Sequence, residues 1–230
     1  MRNSIAVFLM VVFLASISEG AWAPNAMPKT QAALKVPAAL KDAITDPIGD
    51  TFGAGAVQPD ITSFSASFTG SALVISITLS NAIDPTNFVG LVDLDTDQNP
   101  ATGATPTVDL YSPYTSQLGD EYLLSFDAAN AQASLSRTSD ATMTAVPSSV
   151  SGGTITFTVP ASDIGSPRAV NLATVVGTQP EPTDAAPNGG FITASAQPQA
   201  VPTMNEWGMI IFMLAAGLGS AYYLRRRKRT

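Results

Sequence analysis

The sequence predicts an all-β protein, an antiparallel β-sandwich, and three observations predict it. From Asp46 onward, apolar residues recur at every second position in several short runs. Gly, Pro, Asn and Asp separate those runs, and these are the residues that turn a chain. No amphipathic pattern of helix length interrupts them. About eight short strands punctuated in this way suit two packed antiparallel sheets.

At the start of the chain, Arg2 precedes an apolar run from Ile5 to Ile17, followed by small residues. That is the make-up of a secretory signal peptide, assigned to residues 1–23. Cleavage is expected after Gly20. A cut after Ala23 fits the small-x-small rule, but Pro24 follows it. The apolar run is short for a membrane span, which favours a leader over an uncleaved anchor. Residues 24–45 read as a linker: Pro28 and Pro37 break any long helix, and a short helix fits Ala38 to Ile44.

The β-domain is assigned to residues 46–193. Phe64, Ala66 and Phe68 alternate with Ser65 and Ser67. Leu73, Ile75, Ile77 and Leu79 alternate with Val74, Ser76 and Thr78, and Ile155, Phe157 and Val159 with Thr154, Thr156 and Thr158. Each reads as a half-buried strand, apolar inward and largely hydroxylated outward. Phe88 to Leu94, Tyr122 to Phe126 and Val170 to Val176 are apolar on both faces and read as central strands. Ala131 to Arg137 and Met143 to Val146 are weaker candidates. Beyond Gly177 the chain turns Pro-rich, with Phe191 and Ile192 adding a last strand and residues 194–203 forming a spacer.

The last segment, 201–230, is of another kind. Trp207 to Leu224 is 18 residues without a charge. As a helix it spans about 27 Å, close to the hydrocarbon core of a bilayer. Trp207 and Tyr222-Tyr223 stand at its edges, where amphipathic rings favour the interface. Arg225, Arg226, Arg227, Lys228 and Arg229 follow and favour the cytoplasmic side, so the domain is expected outside. The motif Val201-Pro202-Thr203-Met204, then Trp207-Gly208, then one span and a basic end, resembles the exosortase sorting tails of the IPTL-CTERM type, relatives of PEP-CTERM signals. Val201 and Met204 stand where that pattern usually has Ile and Leu. The resemblance implies a Gram-negative envelope protein, held by its tail and cut near the motif by an exosortase-type processing enzyme. A permanent single-pass anchor would use the same residues.

Formal net charge is −7, and five of the eleven basic residues sit in the tail. The exported body is therefore markedly acidic, which disfavours nucleic acid and anionic lipid surfaces as partners. Histidine and cysteine are absent. That excludes Ser-His-Asp and Cys-His nucleophilic sites, His- or Cys-based zinc or haem sites, and disulfides. A carboxylate-pair glycosidase needs neither. Asp93 with Glu121 is its conceivable pair, since Asp120 and Glu121, adjacent on a strand, point to opposite faces.

The strongest chemical feature is the stretch from Asp93 to Gly103. Asp93, Asp95, Asp97 and Asn99 carry oxygens at alternate positions, as a calcium loop does. Its start resembles an EF-hand, but Gln98 replaces the sixth-position Gly and Ala104 the twelfth-position Glu. The expected site is therefore calcium at a sandwich edge, completed from elsewhere by Asp120 or Glu121. The alternative is a solvated Asp/Asn turn bonded to its own backbone.

Asp46-Pro47-Ile48-Gly49-Asp50, Pro59-Asp60-Ile61, the Asp-rich turn and Gly119-Asp120-Glu121-Tyr122 together resemble bacterial sandwiches related to family 9 carbohydrate-binding modules. The likeness spans about residues 46 to 190. It implies a jelly-roll-like module that binds extracellular polysaccharide and often a structural calcium. Sugar platforms need exposed aromatic faces. Tyr111 and Tyr114 are the candidates, with packing over their own loop as the alternative. The favoured reading is an exported, non-enzymatic surface or matrix protein. A carbohydrate-binding module comes next, and a polysaccharide-acting enzyme last.

Overall fold

A computed structural model describes residues 42–129, 132–179, 181–196, 210–218 and 225. The chain divides into two units, Met1–Ala196 and Gln197–Thr230.

In the first unit the two-residue alternation becomes two antiparallel sheets. One holds β1 (Ala43–Thr45), β2 (Ile61–Thr69), β3 (Ala72–Leu79), β9 (Thr154–Pro160) and β8 (Ser148–Ser151), in that spatial order. The other runs β11 (Glu181–Ala186), β10 (Ala169–Thr178), β4 (Phe88–Asp95), β5 (Tyr122–Asp127), β6 (Gln132–Arg137) and β7 (Met143–Val146). Strand β12 (Ile192–Ser195) shares an edge of β10 with β11: β12 pairs along Ala169 to Leu172 and β11 along Thr174 to Thr178.

Strand β3 shows why these residues form a sheet. Leu73, Ile75, Ile77 and Leu79 are buried, while their neighbours are half-buried. On the outer face, Ser76 meets Thr156 at 3.3 Å and Thr78 meets Thr154 at 3.1 Å, hydroxyl to hydroxyl across the ladder. Ile61 and Phe64, three residues apart, both point inward because the register with β3 slips between Ile61 and Ser63. The extra residue, Thr62, makes a bulge that resets the alternation.

The inward faces of both sheets form one core, including Phe64, Ile75, Ile77 and Phe157 from the first and Phe88, Leu94, Leu124 and Phe126 from the second. Phe126 spans the interface, 5.9 Å from Phe157 in an edge-on arrangement and 6.2 Å from Phe88. Each fully buried side chain of this size contributes about 1.5–3 kcal/mol.

The second sheet is apolar on its outer side too. Val89, Leu91, Leu123, Ala173, Val175 and Ala185 are covered there by Val108, Tyr111 and Leu118. The cover comes from the long β4–β5 connection, which folds back across the sheet and includes the short helix α1 (Thr107–Tyr111). This second layer is why β4 and β10 are buried on both faces, as expected of central strands.

Two local expectations change. Ala43–Thr45 is neither linker nor helix but strand β1, paired with Ser63 to Ser65 of β2. Pro182 lies inside edge strand β11, opposite Gly177 where the register shifts. A residue without an N–H is tolerated at such an edge or bulge.

In the second unit residues 210–218 are helical and exposed. Among the described residues no helix is long and apolar enough to cross a membrane. The rest of the expected span, the leader, and Val201, Pro202, Thr203, Met204, Trp207, Gly208, Arg226, Arg227, Lys228 and Arg229 lie outside the described residues.

Candidate functional site

Strand β4 delivers Asp95 to the end of the second sheet, where it is 1 % exposed. The chain then turns, and Asp97 projects from the exposed loop. Further on, Ala104 and Asp120 form an isolated antiparallel bridge, with N···O distances of 2.8 and 3.0 Å. That bridge sets Glu121 beside the loop, and a carboxylate oxygen from each of Asp95, Asp97 and Glu121 lies within 4.8 Å of the others. The approach is tight. A Cβ on Gly103, whose φ is +73°, would fall 2.5–2.7 Å from the Asp120 backbone.

Each carboxylate also holds the loop. Glu121 Oε2 accepts from the Thr96 N–H at 2.9 Å. Asp97 Oδ1 accepts from the Asn99 N–H at 2.9 Å, and Asp97 Oδ2 from the Thr102 hydroxyl at 2.9 Å. Asp95 Oδ1 accepts from the Asn99 N–H at 3.2 Å. Burial, then the neighbouring Glu121 charge, raises the Asp95 carboxyl above its ordinary range. The group is able to hold a hard metal ion, because it offers only oxygen donors.

Asp93 departs from the predicted ligand set. Its side chain is fully buried and turned to the start of α1. Oδ1 accepts from the Thr107 N–H at 2.8 Å and the Thr107 hydroxyl at 2.6 Å, and Oδ2 from the Val108 N–H at 2.8 Å. Pro106, the residue before helix α1, gives it no side-chain cap. Asp93 supplies that cap from β4, fourteen residues away. Asp120, 2 % exposed, lies against Asp93, and burial followed by the Asp93 charge pushes its carboxyl well above the ordinary range. Asn99 turns its side-chain oxygen to the Ala101 N–H at 3.1 Å, within the local turn.

The aromatic pair is also placed differently. Tyr111 is 6 % exposed and packs in the outer apolar layer, so it is no sugar platform. Tyr114 is half-buried and meets Phe52 edge-on at 6.2 Å. Tyr111 packs against the sheet and Tyr114 against Phe52 because the outer face of the sheet needs an apolar cover.

A second acidic group joins residues far apart in the sequence. Asp46, Asp50 and Asp184 bring one carboxylate oxygen each to within 4.8 Å of the others. Asp46 is 7 % exposed, Asp184 fully buried and Asp50 half-buried. Asp60 stands close by and accepts from the Gly49 N–H at 3.1 and 3.2 Å, holding the turn that carries Asp46 and Asp50. Burial first, then Asp184, Asp50 and Asp60, pushes the Asp46 carboxyl up to about 8. Burial first, against the N–H groups of Ile61 and Ala185, leaves Asp184 at about 7. Asp46 and Asp50 sit in a motif visible in the sequence, but nothing local marks Asp184.

The chain matches no known protein family, no curated protein and no solved structure.

Proposed function

We propose that this is an exported, non-enzymatic cell-surface or matrix protein: a calcium-stabilised β-sandwich, jelly-roll-like, delivered to the envelope by its C-terminal sorting tail. The observation that carries the reading is the charge pattern of the sandwich. Residues 42–196 hold 16 acidic side chains and only two basic ones, Arg137 and Arg168. Three of these acids, Asp95, Asp97 and Glu121, converge at one edge. Like charges so close favour a divalent cation, and extracellular calcium is abundant enough for a site built from a few oxygens. The tail motif, the uncharged run and the basic end support export and handling by an exosortase-type enzyme.

The test is the intact mass and location of the protein recovered from cells. A product ending between Val201 and Glu206 supports processing, and a full-length chain in the inner membrane supports a permanent anchor. A tag placed just before Trp207 that is unreachable from outside the cytoplasm overturns export altogether.

A second reading, a carbohydrate-binding module, has one observation in its favour. Glu121, Tyr122, Arg137 and Thr138 line an open cleft of about 430 Å³ beside the carboxylates, with the Arg137 guanidinium 5.7 Å above the Tyr122 ring. Glycan-array binding lost on Arg137→Ala would support this reading over the first.

A further inference from the structure

The chain from Asp46 to Asp60 runs along the outer edge of β11. The Phe52 N–H donates to the Thr183 carbonyl at 2.8 Å, and the Thr183 hydroxyl to the Pro59 carbonyl at 2.7 Å. Ala54 and Gly55 donate backbone N–H groups to Glu181. The Ile61 N–H, where the first sheet begins, donates to Asp184 Oδ2 at 2.6 Å. This segment covers an otherwise open sheet edge, and the group of Asp46, Asp50 and Asp184 lies where it begins.

We propose that Asp46, Asp50, Asp184 and Asn188 form a second, largely buried calcium site that fastens residues 46–60 to β11 and to the loop after it. The site stands apart from the Asp95 group and does not depend on the reading above.

Four observations carry it. Three carboxylates converge within 4.8 Å. Asp46 Oδ2, Asp50 Oδ1 and Asn188 Oδ1 are shielded from water and accept no hydrogen bond, which is costly for a polar atom without a partner. The Asn188 amide donates its N–H to Asp50 Oδ2, leaving the Asn188 oxygen and Asp50 Oδ1 as bare acceptors in the same place. Finally, among the described residues the charged groups that raise the Asp46 and Asp184 carboxyls are all acidic.

A bound cation supplies the missing partner. The donors are all oxygen, which excludes a preference for soft metals. Calcium accepts an irregular shell of six to eight oxygens, whereas magnesium demands near-octahedral geometry and gives up its water reluctantly. Tyr114 stands near enough to feel the group: burial first, then the charges of Asp50, Asp184 and Asp46, push its phenol above the ordinary range.

The experiment uses the full chain, stripped of metal and titrated calorimetrically with calcium chloride at pH 7.5. Asp97→Asn with Glu121→Gln silences the loop group. This double variant is expected to bind one calcium per chain still, and to melt higher with calcium than without. Adding Asp46→Asn is expected to abolish that binding. Asp50→Asn, at a half-buried position and so milder for folding, is expected to weaken it at least tenfold, with circular dichroism checking that the fold persists. Terbium in the loop-silenced chain is expected to show tyrosine-sensitised emission, reduced by Tyr114→Phe. Limited proteolysis between residues 51 and 60 is expected to speed up in chelator. The proposal is overturned if the loop-silenced chain gives no heat and no melting shift, since protons alone then relieve the cluster. It is equally overturned if binding survives both Asp46→Asn and Asp50→Asn. Failure of the loop site leaves this readout unchanged, because that site is removed in the parent variant.

Discussion

Asp93 on β4 and Thr107 at the start of α1 are joined twice, from the Thr107 N–H at 2.8 Å and from its hydroxyl at 2.6 Å. A carboxylate aimed at a helix N-terminus satisfies donors that the helix cannot. This contact pins the β4–β5 connection over the outer face of the second sheet, and so indirectly positions Glu121. Asp93→Ala leaves Thr107 and Val108 with buried, unpaired donors. It is expected to lower stability by about 3 kcal/mol or more in urea unfolding. A loss below about 1 kcal/mol would show that the cap does not hold the connection.

Glu121 and Asp97 come from opposite ends of that connection. Glu121→Gln and Asp97→Asn are each expected to weaken calcium binding at the loop at least tenfold. Asp93→Asn is expected to leave it within threefold, since Asp93 faces α1. Calorimetry on variants that retain the wild-type circular dichroism separates the two effects.

Gly103 tests how closely the loop must approach. Its φ of +73° disfavours any side chain, and a Cβ would collide with the Asp120 backbone. Gly103→Ala is expected to loosen the Ala104–Asp120 bridge and weaken loop calcium, with the sandwich core intact. Hydrogen exchange is expected to rise at Ala104 and Asp120 while the amides of β3 and β9 stay protected.

Stability should fall with rising pH when metal is absent. The Asp46 carboxyl is raised from its ordinary 3.8 to about 8, and that of Asp184 to about 7. Between roughly pH 4 and pH 8 the folded chain therefore holds protons that the unfolded chain has released. The stabilising contribution is complete below the unfolded value and is lost as pH climbs through the folded one. In chelator the melting temperature is expected to be several degrees higher at pH 5 than at pH 8. With millimolar calcium the gap is expected to shrink, because the ion replaces the protons. A flat chelator profile would contradict this.

Phe157 carries a simpler expectation. It is 1 % exposed and meets Phe126 across the two sheets. Phe157→Ala is expected to cost about 3–5 kcal/mol in chemical unfolding.

The strands were legible because a half-buried strand shows its face at every second residue. Leu73 to Leu79 and Ile155 to Val159 could be assigned from spacing alone. β1, β8 and β11 were not, because three or four residues, exposed serines, or a run containing Pro182 carry no such period. Sequence spacing also drew Asp95 and Asp97 together, and Glu121 was a fair candidate to complete them. It could not separate Asp93 from Asp95: both occupy the outer face of β4, and only the path of the connection above them gives one to α1 and the other to the loop. Tyr111 looked like a binding ring until that same connection buried it.

What the amino-acid order determined by itself was the two-face alternation of the sheets, the excess of acid over base in the body, and the contrasting oily and basic character of the tail. These are properties of neighbouring residues. Tertiary structure alone decided that Asp50 meets Asn188, 138 residues further on, and that Asp46 and Asp184 share one buried space. Such a meeting depends on how β11 docks beside β10 and where the chain before β2 is laid along it, and no local spacing encodes that contact.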